Sequence, residues 1–123
     1  MTAAIEKKLI ANFTKNSESE TSIDFKPVVK FFGGGACTWL FTEYNPVDRT
    51  FFGLCDLGLG FAELGYVSRD ELEAIRFKPF NLPVERDRFW GACGTMSEYV
   101  LASKGQRIVE GTLNHYPDEE ETA

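Results

Sequence analysis

CTWLFTEY at residues 37–44, NPVDRT at 45–50 and FFGLCDL at 51–57 decide the fold. The first stretch alternates: Cys37, Trp39, Phe41 and Glu43 share one face of a strand, and Thr38, Leu40, Thr42 and Tyr44 share the other. The middle stretch is a turn, because Pro46 fixes φ while Asn45 and Asp48 supply side-chain acceptors. The third is again apolar and β-prone, so 37–57 reads as an antiparallel hairpin. Upstream, VVKFF at 28–32 adds a strand that ends in Gly33-Gly34-Gly35. A phosphate-binding loop needs Gly-Lys-Ser/Thr next, and Ala36-Cys37-Thr38 follows instead, so the glycines read as a turn. Downstream, Gly58 and Gly60 mark a turn before FAELGYV at 61–67, a further strand.

Helices flank this β unit. Ile5, Leu9 and Phe13 recur every four residues and predict a helix over 2–15, followed by a polar linker at 16–24. Ser68 and Glu71 fit a capping box that opens a short helix ending near Arg76, with Leu72 and Ile75 turned inward. Pro79 and Pro83 break regular structure between Phe77 and Val84, and residues 85–90 resume an extended path. Thr95 or Ser97 caps a last helix that Gly105 stops near Lys104, and 106–113 reads as an edge strand. The sum is an α+β fold, a mostly antiparallel sheet with two or three short helices. It forms a single domain over 1–117, followed by an acidic tail at 118–123.

The 123 residues include 11 Phe, 4 Tyr and 2 Trp, with 43% hydrophobic residues overall, which rules out a wholly disordered chain. No apolar run reaches the roughly 18–20 residues of a membrane span, and the N-terminus has no secretory signal pattern, so a cytoplasmic protein is expected. The net charge of −6 is unevenly placed. Residues 43–73 hold seven acids against two bases, 74–108 hold six bases against three acids, and 109–123 hold five acids and no base. A near-neutral body argues against ordinary duplex binding, which needs a basic face. Cys37, Cys55 and Cys93 form no CxxC pair and read as buried, reduced thiols of a reducing compartment. Together with His115 they lack the close ligand pairs of a zinc module, so no metal and no cofactor is expected.

The stretch from Trp39 to Arg88 resembles a bacterial family known as domain of unknown function 2958. The resemblance is carried by W-L-F-T-E-Y-N-P (39–46), F-F-G-L (51–54), E-L-G-Y-V-S (63–68), E-L-E (71–73) and L-P-V-E-R-D (82–87), in matching order and spacing. It implies a small protein of plasmids, phages and other mobile elements, with no reaction attached. The glycine triplet departs from the family pattern, and the segment from Leu101 onward finds no counterpart in it. Within the matching stretches, Phe51, Phe52, Leu54, Leu64 and Leu72 read as packing residues. Gly53 and Gly65 read as bulges or points of close backbone approach.

Glu43, Glu63, Tyr66, Glu85, Arg86 and Asp87 are harder to explain as core, and serve either surface ion pairing or a binding site. No catalytic residue stands out. The single histidine lies near the tail, and Glu43 with Glu63 is the one carboxylate pair available to a small enzyme. The favoured expectation is a non-enzymatic accessory protein that binds a host protein or protein–nucleic-acid complex, in the manner of anti-CRISPR proteins. Its contacts would be Trp39, Tyr66 and Arg86, with the acids Glu43, Glu63, Glu85, Asp87, Asp118, Glu119, Glu120 and Glu121. The alternative is single-stranded nucleic acid stacked on Trp39 or Trp90 beside Arg76, Lys78, Arg86 and Arg88. Either reading accommodates a homodimer joined through a strand edge.

Overall fold

A computed structural model of the chain describes residues 1–108. Helix α1 (Ala3–Glu18) is followed by β1 (Val29–Gly33), β2 (Cys37–Asn45), β3 (Thr50–Asp56), β4 (Ala62–Ser68) and helix α2 (Arg69–Ala74). Three two-residue strands come next, β5 (Arg76–Phe77), β6 (Leu82–Pro83) and β7 (Glu85–Arg86), and then helix α3 (Met96–Ser103). An antiparallel sheet runs in the order β4-β3-β2-β1-β7, and β5 pairs with β6 alone. The fold is α+β.

The sheet is covered on both faces. Leu9 of α1 and Leu72 of α2 pack with Phe31, Trp39, Phe41, Tyr44 and Phe51 on one side. Met96 and Tyr99 of α3 close over Leu40 and Leu54 on the other. Central strand β2 is therefore buried along nearly its whole length, which its simple alternation of apolar and polar residues does not announce. Arg69 clasps the first layer. Its guanidinium reaches Glu6 of α1 at 3.1 Å and Glu73 of α2 at 3.0 Å, and it lies 5.3 Å over the Tyr44 ring.

Several boundaries move relative to the sequence reading. Helix α1 takes residues 16–18 from the expected linker, because Asn16 is held by tertiary bonds. Of the Ser68 capping box only the bond from the Glu71 N–H to Ser68 Oγ forms, whereas Thr95 and Glu98 complete a full box at α3. The extended path expected over 85–90 shortens to the two residues of β7. Residues 106–108 form no strand, and the rest of the strand expected to 113 lies outside the described residues, as does the acidic tail. Gly34 and Gly35 take φ of 62° and 78° at the β1–β2 turn, which seats on Phe77: a Cβ on Gly34 would lie 2.6 Å from that ring.

The largest departure is a β-bulge. Phe41 pairs with Gly53, but Glu43 pairs with Phe52 and Tyr44 with Phe51, so Thr42 has no register partner on β3, although its hydroxyl donates to the Phe52 carbonyl at 3.4 Å. The extra residue resets the alternation. Tyr44 joins Trp39 and Phe41 in the core, and Glu43 turns to the opposite face, reversing both sequence assignments. The Thr42 carbonyl released by the bulge accepts a 3.0 Å hydrogen bond from the buried Asn12 amide of α1. Asn12→Ala leaves that carbonyl buried and unsatisfied, so a loss of about 2 kcal/mol is expected in urea denaturation. A loss below about 0.5 kcal/mol would mean that water or a relaxed backbone satisfies the carbonyl equally well.

Candidate functional site

Among the described residues, strand β4 is one edge of the sheet with only β3 beside it, and no described strand pairs with its outer row of backbone donors and acceptors. Natural edges are commonly blunted with charge or proline, yet Ala62–Ser68 carries a single charge, Glu63, and no proline. Apolar side chains gather around it. Leu57, Leu59 and Phe61, presented by a turn whose Gly58 N–H is held by Asp56 Oδ1 at 2.9 Å, are exposed on one side of the strand. With Gly65, Glu63 and Glu71 they bound an open groove of about 520 Å³. Gly65 is no bulge: a Cβ there would meet nothing, and its missing side chain widens the groove.

The other side of β4 opens onto Glu43. Two adjoining cavities, of about 740 and 520 Å³, share Asn16, Glu43, Phe52 and Tyr66 in their walls. Glu43 is only 9% exposed, and its carboxylate accepts a 3.2 Å bond from the Asn16 amide. Asn16 Oδ1 in turn accepts the Ile23 N–H at 3.0 Å, fixing which end of the amide faces the acid. Burial pushes the Glu43 carboxyl above the ordinary carboxylate range, and the Asn16 hydrogen bond offsets that only in part. Phe52 and Tyr66 lie opposite each other on β3 and β4 with ring centroids 4.9 Å apart, and Tyr66 is 78% exposed. Asp24 stands in the larger cavity. Burial raises its pKa, but bonds from the Ser97 hydroxyl and N–H and from Thr95 outweigh that and hold it below the usual value.

The structure divides the residues singled out from sequence. Glu43 and Tyr66 come together at one niche. Glu63 pairs with Cys55 and faces the other side of the sheet, so the two carboxylates do not share a site. Trp39, 2% exposed, belongs to the core and offers no surface for a partner. Glu85, Arg86 and Asp87 lie at the far edge, four strand spacings or about 19 Å from β4. There Asp87 binds the buried Lys30 at 3.4 Å, and Glu85 and Arg86 pair with Phe32 and Phe31 of β1. Asp118, Glu119, Glu120 and Glu121 lie outside the described residues.

Of the basic residues expected to meet nucleic acid, Arg76 spends its guanidinium on the carbonyls of Glu73 and Ile75. Trp90 is half-buried against Tyr99. The sequence reading missed Asn16, counted as linker, Leu57, counted as the end of a strand, and Leu59, counted as turn. Spacing held one signal for the first, since Asn12 and Asn16 stand one helical turn apart and both reach the bulge.

Among the described residues no group of three or more His, Cys, Asp or Glu side chains is placed to hold a metal ion, and no helix is long and apolar enough to cross a membrane. None of the three cysteines is in a disulfide, and all are half-buried, so the burial expected of them is met only in part. Burial, reinforced by Glu63, pushes the Cys55 thiol up to about 11, and burial with Asp56 raises Cys37, so neither presents a thiolate nucleophile at neutral pH.

A family model described as a protein of unknown function (DUF2958) matches residues 1–109. The match includes the glycine triplet and continues past Leu101 as far as residue 109. No curated protein and no solved structure matches the chain.

Proposed function

The chain belongs to the DUF2958 family, whose description assigns no activity, and from its surface we propose that it is a protein-binding module that captures an extended segment of its partner along β4. The carrying observation is an edge that no described residue caps: seven residues with one charge, flanked by exposed Leu57, Leu59 and Phe61 and carrying exposed Leu64 and Tyr66. A segment laid along β4 satisfies the open backbone groups and buries these side chains, the two gains of strand addition. Glu43, Asp48, Glu63 and Glu71 line the cavities flanking the strand, so the surplus of acid in 43–73 is gathered at this edge. A partner segment bearing Lys or Arg complements it. Such a partner suits an accessory protein that antagonises or modulates a host defence or nucleic-acid-handling complex, whose working surfaces are basic.

The test is a pull-down from host bacterial lysate, with and without nuclease, using the wild type and a Leu64→Lys/Tyr66→Asp variant. A stoichiometric, nuclease-resistant partner is expected with the wild type and is weakened at least about tenfold in the variant. Equal recovery by both proteins sinks β4 as the contact. Nuclease-sensitive material alone would favour the second reading, which has one observation behind it. Phe80 and Phe89 are exposed, Phe89 by 98%, beside Lys78 and Arg88, and can stack bases where Trp39 cannot.

A further inference from the structure

We propose that the niche around Glu43 is a receptor for the guanidinium head of a partner's arginine, seated between the buried carboxylate and the Phe52–Tyr66 aromatic pair. The inference rests on the protein-binding reading above and names the side chain that the β4 edge selects. Three acids, Asp24, Glu43 and Asp48, line the two adjoining cavities, and no lysine or arginine does. Glu43 is thus nine-tenths buried with a neutral amide as its only described hydrogen-bond partner. Removing one carboxylate from water without a cation is costly, and a buried acid is ordinarily paired.

The other acids are already committed. Asp24 binds Ser97 at the start of α3, and Asp48 accepts the Asn45 amide at 3.0 Å. One Glu43 oxygen takes the Asn16 amide, which leaves the second for a donor arriving from the cavity. The ring of Tyr66, largely exposed and braced by Phe52, offers a face at the mouth of the same cavity. Carboxylate plus aromatic face is the pairing that a planar, weakly hydrated guanidinium exploits better than an ammonium.

The experiment titrates the 15N-labelled full chain with N-acetyl-arginine amide and, in parallel, with the uncharged N-acetyl-citrulline amide of nearly the same shape. Saturable amide shifts at Asn16, Glu43, Phe52 and Tyr66 are expected with arginine alone, weakened at least about tenfold in Glu43→Gln. The binding should also disappear as pH falls through the raised Glu43 pKa, because protonation removes the charge the ligand needs. Asp48 and Tyr66 are the other titratable groups in this part of the niche, and an Asp48→Asn control separates Glu43 from Asp48. Because a raised pKa means that the folded state disfavours the charged form, Glu43→Gln should fold without loss of stability near neutral pH. Should it not, the wild-type pH arm still decides. Equal shifts from citrulline, undiminished binding by Glu43→Gln, or no saturable shift would overturn the proposal. Arginine binding without a β4-dependent partner would refute only the edge reading, and a partner unaffected by Glu43→Gln only the niche.

Discussion

Gly53→Ala is expected to lose about 3 kcal/mol of stability and, with it, the geometry of the Glu43 niche. Strand β3 crosses β2 so closely at this residue that an added Cβ would run into the Leu40 carbonyl and stand 2.8 Å from Phe41 Cα. Both obstacles are backbone, so no side-chain rotamer relieves them, and the strands must separate at the base pair of the bulge, Phe41 opposite Gly53. Once that pairing slips, Glu43 and Tyr44 lose the register that sends one to the niche and the other to the core. Gly65→Ala is the control. It lies one strand over, opposite Gly53, and its Cβ would meet nothing, so its effect should stay within about 0.5 kcal/mol. Urea denaturation of both variants, with amide spectra reporting on Glu43, tests this. A Gly53→Ala protein as stable as Gly65→Ala would show that the strands accommodate the methyl and that close approach does not set the bulge.

Phe51→Ala should be the more damaging substitution, at about 4 kcal/mol. Its ring is 1% exposed and stacks on Phe41 with centroids 4.6 Å apart and planes 7° from parallel. Tyr44 lies 4.8 Å away and Phe31 6.0 Å away, so this one side chain of β3 packs against both β2 and β1. Rings fixed on separate strands cannot close over the hole, and the cavity cost adds to the lost burial. For a domain of ordinary stability such a loss leaves little of the folded state in reserve. Phe51→Leu should recover roughly half of the deficit by refilling volume without restoring the stack. A Phe51→Ala loss of less than about 1.5 kcal/mol in urea denaturation, with an unchanged dependence on denaturant, would place the weight of this core elsewhere.

The α+β class, the hairpin of residues 37–57 and the order of strands and helices were legible from the chain, because local rules carry them. Pro46 and Asn45 make the turn and Ser68 and Thr95 start helices, while α3 already ends on a left-handed Lys104 just before Gly105. The family was legible too, from motifs of which W-L-F-T-E-Y and F-F-G-L lie in the central strands and E-L-G-Y-V-S forms the exposed edge strand. The candidate site was half legible. Glu43 and Tyr66 stood out as a charge and an aromatic in apolar surroundings, but Glu63 stood out on the same grounds and faces the other way.

Trp39 shows the limit of residue type as a guide, since large aromatics anchor interfaces and fill cores alike and only packing separates the two. By itself, then, the sequence determined which segments become strands and helices and where the acidic charge is stored. Tertiary structure alone decided which strand is left at the edge and, through one residue without a register partner, Thr42, which way Glu43 points. Side-chain direction in a strand has a period of two, so a single inserted residue inverts everything beyond it. That insertion is fixed by the close approach at Gly53 and by an asparagine from a helix 30 residues earlier, contacts that no local pattern encodes.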